Sequence, residues 1–182
     1  MNSWLNADVA LAQKELVLKE LQRPMDNPAF VAFKWAIDKI APKDGDLFLD
    51  VGCGCGHYGV LMSQWYPGVI YCGEDISLHM IEVAKELNPL GQFSVRPIDI
   101  TACFLHDITM VSAVLEYTAV PSASLKRIVD LSNILIIHRA RVLKTSGFVD
   151  EPTYCGNIEP KYIWGEGEIE SIIGDLRFEK LT

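Results

Sequence analysis

The chain has 182 residues, 24 acidic against 16 basic side chains, a formal net charge of −8 and 49% hydrophobic residues. That length and apolar content suit one domain with a substantial core. The acidic balance, with no Lys/Arg cluster, argues against a nucleic-acid partner, because such a footprint needs a basic stripe to displace counterions.

The opening residues, MNSWLNADVALAQKEL, have no basic stretch ahead of an apolar one, so they do not read as a signal peptide. No apolar run approaches membrane-spanning length, so no membrane partner is expected. Five cysteines, an odd number scattered along the chain, fit a reducing compartment better than a disulfide framework. The expected location is the cytoplasm.

Residues 7–21 are rich in helix formers, and Phe30, Phe33, Ile37 and Ile40 fall on one face of a second helix beginning near Pro28. The turn-rich stretch between them, residues 23–28, reads as a hinge. Residues 1–44 are therefore expected to be helices capping a core domain over residues 45–182, and they carry the aromatics Trp4, Phe30 and Trp35.

The core domain begins with LFLDVGCGCG, residues 47–56. Leu47, Phe48, Leu49 and Val51 form the short apolar run of a strand buried on both faces of a parallel sheet. Asp50 sits near its carboxyl end. Gly52, Gly54 and Gly56 let the backbone turn sharply and approach a ligand with no Cβ in the way. Tyr58, Leu61, Met62 and Trp65 then follow at helical spacing, so the loop presents bare N–H groups at a helix start, suited to an anionic or polar ligand. Residues 69–72 read as a second strand ending in Gly73, Glu74 and Asp75. Asp75 lies about 20 residues past the loop, where a ribose-binding carboxylate is expected. Ser77 caps a helix carrying Met80, Ile81, Ala84 and Leu87.

From Asp50 onward the chain resembles the class I S-adenosylmethionine-dependent methyltransferases, whose first motif is an acidic residue followed by GxGxG. GEDIS, residues 73–77, is similar to their second motif. Residues 96–100, RPIDI, fall where the family places an acidic residue near the adenine amino group, and residues 108–117, ITMVSAVLEY, resemble the fourth strand and the loop facing the methyl donor. The likeness spans about residues 45–145 and implies an α/β, doubly wound, mostly parallel sheet. It also implies that the methyl donor is bound by Asp50, Gly52, Gly54 and Gly56, by Asp75 and Ile76, by Asp99 and Ile100, and by Ser112. S-adenosylhomocysteine would be the product. The oxidoreductase fingerprint is GxGxxG, and Asp50 would repel a pyrophosphate, whereas it suits the ammonium group of a methionine moiety. SAVLEY lacks the Asn/Asp-Pro-Pro-Tyr run that enzymes methylating base amino groups often carry.

Further along, Ser122 or Ser124 is expected to cap a helix containing Leu125, Ile128 and Val129, and residues 133–137 read as a fifth strand. That strand exits into His138, Arg139, Ala140 and Arg141, at the end of the sheet where ligands sit in such folds. Arg139 and Arg141 are candidate substrate contacts, since an Arg fork pairs bidentately with a carboxylate or phosphate. Residues 145–167, rich in Gly, Pro and aromatics, are expected to form a lid-like loop over the acceptor, with Tyr154 and Trp164 touching it. A short helix from Glu166 to Ile173 and a last strand over residues 177–181 complete the reading. The family usually ends with an antiparallel seventh strand, which this chain is expected to lack, leaving an edge that a second copy could cover as a homodimer.

Candidate proton acceptors are His138 at the end of strand five and Glu116 and Tyr117, where related enzymes often carry Glu-His. His57 is expected only to help the helix start. Cys53, Cys55 and His57 alternate because of the glycine loop between them, and no metal site is expected. Three functions follow: a methyltransferase acting at oxygen or nitrogen of a small molecule with an acidic or polar handle; a non-catalytic module binding S-adenosylmethionine or its product; and a nicotinamide-dependent oxidoreductase. The acceptor is beyond the sequence, because fold does not dictate reaction.

Overall fold

Strand β1 (Leu47–Val51) organises the molecule because its alternate side chains serve two cores. Phe48 packs with Tyr71, Ile108 and Met110, whereas Leu49 and Val51 join Val111, Leu125 and Ile128 on the other face. The computed structural model describes residues 3–100, 105–152 and 158–174. In it β1 pairs in parallel with β2 (Ile70–Asp75) on one side and β4 (His106–Ser112) on the other. β3 (Gln92–Val95) and β5 (Ser132–His138) extend the sheet to the order β3-β2-β1-β4-β5, all parallel. The order reverses between β1 and β4, and a crevice opens at the carboxyl ends of strands at such a switch. This is the expected doubly wound sheet, and its described strands include no antiparallel one.

The helices cover both faces. Phe30, Phe33 and Ile37 of α2 (Pro28–Ile40) and Tyr58, Leu61 and Met62 of α3 (His57–Trp65) fill the Phe48 side. α5 (Pro121–Asp130) and α6 (Glu168–Ile173) cover the Leu49 side. α1 (Ala7–Glu20) packs through Val9, Ala10 and Val17 on Met80 and Val83 of α4 (Leu78–Leu87). Local chemistry starts these helices: Asn6, Asn27 and Ser77 each accept a first-turn amide, from Asp8, Ala29 and Met80 respectively. α5 differs from expectation. Neither Ser122 nor Ser124 caps it; Pro121 opens it, with φ preset and no amide hydrogen to satisfy.

The largest departure lies in residues 145–167. In place of a loop there is a hairpin, β7 (Gly147–Pro152) antiparallel to β8 (Ile158–Gly165), joined by β6 (Val142–Leu143) into a small sheet of order β6-β8-β7. Phe148 stands opposite Tyr162, ring centroids 5.1 Å apart, the kind of cross-strand aromatic pair that stabilises a ladder. Trp35 is half-buried on α2 beneath the Lys39 ammonium, away from the crevice. The expected last strand, residues 177–181, lies outside the described residues. Among those described, no helix is long and apolar enough to cross a membrane.

Phe33 is fully buried, edge-on to Phe48 and Tyr58. Phe33→Ala is expected to cost about 3–5 kcal/mol, read as a lower midpoint in urea unfolding.

Candidate functional site

The glycine loop is held in place by the end of β2. Glu74 O accepts the amides of Gly52 and Cys53 at 2.7 and 2.9 Å. The Asp75 carboxylate accepts Gly54 N at 2.9 Å on one oxygen and Ser77 N at 2.8 Å on the other. Burial nonetheless raises its pKa against these amide bonds. Gly52, Gly54 and Gly56 have φ of +73°, +53° and +69°, the left-handed region that side chains avoid. Their surroundings differ. A Cβ on Gly52 would come within 2.4 Å of Val114, and one on Gly56 within 2.9 Å of Ala84, whereas one on Gly54 would meet nothing within 4 Å. Gly54 is therefore the open face of the loop.

Above it lies a cleft of about 720 Å³. Gly52 and Gly54 form its floor, Asp75, Ile76 and Asp99 one wall, and Ser112, Glu116 and Tyr117 the other. Gln13, Leu16 and Val17 of α1 close over it, and Trp4 meets the Tyr117 ring edge-on at 5.4 Å. The N-terminal segment thus borders the cleft, as do Trp4 and Phe30.

Three of the nine expected donor contacts do not line this cleft. Gly56 packs against α4 and β3, and Ile100 is exposed outside. Asp50 is fully buried beneath the loop, where the Tyr71 hydroxyl donates to one oxygen at 2.5 Å and the other has no hydrogen-bond partner among the described residues. Burial pushes its carboxyl up to about 7, against the Tyr71 bond. Asp50 therefore supports the loop from below, because alternation points it to the same side of the sheet as Phe48 and Tyr71.

The candidate proton acceptors also rearrange. His138 lies behind the cleft wall, its Nδ1 2.9 Å from Ser112 Oγ and 3.2 Å from the Tyr58 hydroxyl. Burial, with the Arg139 charge, depresses it to about 4. His57 instead lines the cleft and makes no capping bond to α3; its Nδ1 is buried with no partner among the described residues. Burial, Arg139 and His138 hold it down to about 3. The sequence signal was its place, one residue past a ligand-facing loop. Glu116 and Tyr117 do face the cleft, on a 3-10 turn (Leu115–Tyr117), both with pKa raised by burial. Cys53 and Cys55 diverge: Cys53 lines the cleft, while the Cys55 thiol lies 3.5 Å from Met80 Sδ among α1 and α4.

Of the expected substrate contacts, Arg139 lines the cleft with φ +60°. It and Ala113, at φ +51°, are two of the three non-glycine left-handed residues among those described, and both sit at strand ends beside the cleft, where backbone strain tends to gather. Arg141 is ion-paired with Glu151 on the hairpin. Trp164 is fully buried in the core beside α5, so it does not line the cleft: β8 turns it inward against Tyr162. Tyr154 lies outside the described residues.

No protein-family model matches the sequence, and no curated protein does. Solved structures match the fold. The N-terminal domain of EvdMO1 with S-adenosylhomocysteine bound aligns at TM-score 0.62 and 14% identity, over 81% of this chain and 69% of that one. Coclaurine N-methyltransferase bound to N-methylheliamine and S-adenosylhomocysteine aligns at 0.61 and 15%, over 81% and 48%. A Listeria monocytogenes protein described as an S-adenosylmethionine-dependent methyltransferase aligns at 0.59 and 17%, over 78% of each chain. The chain spans less than half the length of several of the proteins it matches, coclaurine N-methyltransferase among them. Its fold is that of the class I S-adenosylmethionine-dependent methyltransferases.

The depressed His138 has a measurable consequence. Between its ordinary value near 6.5 and its folded value of about 4, the unfolded chain binds more protons, so this residue makes stability fall as pH falls through that window. Asp50, raised to about 7, contributes the opposite slope. Comparing wild type with His138→Asn in urea unfolding from pH 7 to 4 isolates the histidine: the variant should lack an acid-side decline of up to about 1.4 kcal/mol per pH unit.

Proposed function

We propose that the chain is an S-adenosylmethionine-dependent methyltransferase acting on a small-molecule acceptor at oxygen or nitrogen. The observation that carries this reading is the open face of Gly54, held by Asp75 at the floor of a cleft at the carboxyl ends of the strands. The residues fit the cofactor. Each Asp75 oxygen accepts one loop or helix amide and keeps a lone pair for a ribose hydroxyl. Asp99 and Ile98 offer a polar group and an apolar surface to an adenine ring, and Ser112 and Gly52 border the space left for the amino-acid end. Asp50 and Gly56 shape the loop without touching the ligand.

When bound, the cofactor supplies an already activated methyl group. The protein's part is then to hold the acceptor in line and exclude water. The α1 residues over the cleft serve the exclusion. Where the acceptor must lose a proton, Glu116 is the carboxylate facing the cleft that can take it; the Tyr117 phenol, its pKa raised by burial, stays protonated and offers a hydrogen bond, and His57, held down to about 3, is neutral and a weak base. His138 acts through Ser112 and Tyr58, as a positioning residue.

A second reading, a module that binds the cofactor without transferring methyl, is favoured by the withdrawal of His138 from the cleft. Calorimetry with S-adenosylhomocysteine tests the shared premise. Wild type should bind, and Asp75→Ala should bind about 10- to 150-fold more weakly, the loss of roughly 1.5–3 kcal/mol expected for a charged hydrogen-bond acceptor. No binding by wild type would sink both readings; binding with no methylated product across an acceptor screen would leave the second.

A further inference from the structure

Beside the main cleft is a smaller pocket of about 230 Å³, which shares Ala113, Glu116, Arg139 and Lys161 with it. The β5 exit forms one side and the β7–β8 hairpin the other. In a chain of net charge −8, this is a place where positive charge gathers: among the described residues that line it, Arg139, Arg141 and Lys161 face Glu116 and Glu151.

These charges are not evenly paired. Glu151 takes both Arg141 and, at 3.6 Å, Lys161. Arg139 has no carboxylate within ion-pair distance among the described residues. Glu116, the other acid of the pocket, has its pKa raised by burial, with Arg139 and Lys161 nearby acting against that rise. Three cations against two carboxylates leave one positive charge uncompensated, centred on Arg139. The left-handed backbone of Arg139 holds its side chain at the junction of the two cavities instead of continuing the strand.

We propose that this pocket is the acceptor subsite and that it takes a carboxylate-bearing compound, its single negative charge held by Arg139 and Lys161 with the methylated atom directed into the main cleft. This rests on the methyltransferase reading above. The pairing suits a carboxylate because Arg offers two parallel donors that match its two oxygens, while Lys adds a point charge. A phosphate dianion brings one charge more than the pocket lacks, next to Glu116 and Glu151. The Lys161 ammonium also lies 5.6 Å from the Tyr117 ring, which fixes it on the cleft side of the hairpin.

The test uses benzoate, its neutral counterpart benzamide, and phenyl phosphate, each titrated by NMR into protein saturated with S-adenosylhomocysteine. Benzoate should bind at least tenfold tighter than benzamide and no weaker than phenyl phosphate. Arg139→Met and Lys161→Met should each weaken benzoate at least fivefold and leave benzamide unchanged; the Lys161 variant, altered on a hairpin strand, keeps the test alive if the Arg139 variant does not fold. Equal binding of benzoate and benzamide, tighter binding of phenyl phosphate, benzoate affinity untouched by either substitution, or no binding of any probe would overturn the proposal. If S-adenosylhomocysteine itself does not bind, the proposed function fails, and the same titrations on the free protein decide the carboxylate pocket separately.

Discussion

The Asp75 carboxylate, caught between the amides of Gly54 and Ser77, is the constraint on which the rest of the site depends. It ties the loop after β1 to the start of α4, so two elements that meet only at their ends share one anchor. Without it the amide of Gly54 would turn away, and the loop would lose the conformation that leaves its upper face open. The Glu74 carbonyl and its side chain, paired with Arg96 at 3.1 Å, brace the same corner. A cleft built this way is set before any ligand arrives, which keeps the entropic cost of binding low.

The electrostatics of the site are divided by depth. Below the loop, Asp50 and Tyr71 share a buried hydrogen bond in an apolar setting that favours a neutral carboxyl. Behind the wall, His138 stays neutral for the same reason, reinforced by Arg139. At the hairpin side full charges accumulate. The groups buried beneath and behind the cleft are therefore kept neutral, while charged side chains, Asp75, Asp99, Glu116 and Arg139 among them, line the cleft itself.

Much of the frame was legible in the sequence because few alternatives fit it. An apolar strand ending in three alternate glycines needs positive φ at each, and a Ser following GEDI gives the next helix its cap. The hairpin was hidden by Pro152 and Pro160, which break a strand pattern. They are tolerated here because, among the described residues, β7 pairs on one side only and β8 has a neighbour on its second side only at Trp164 and Gly165. The exchange of roles between His57 and His138 was less visible. Alternation along β5 sends His138 to the face of Ile136, beside Tyr58, and residue type alone gives no hint of that depth.

Gly52 has an effect on a residue far from it in sequence. Its missing Cβ leaves the space that the Val114 side chain occupies, with Val114 Cβ only 2.7 Å from where the glycine's own would be. A branched side chain after β4 is thus possible only because a glycine follows β1. The two positions draw on one shared volume, so the room available at 114, and with it the shape of the wall leading to Glu116, is decided at the first turn of the glycine loop. Sequence drift at one of them is bounded by the other, although 62 residues separate them.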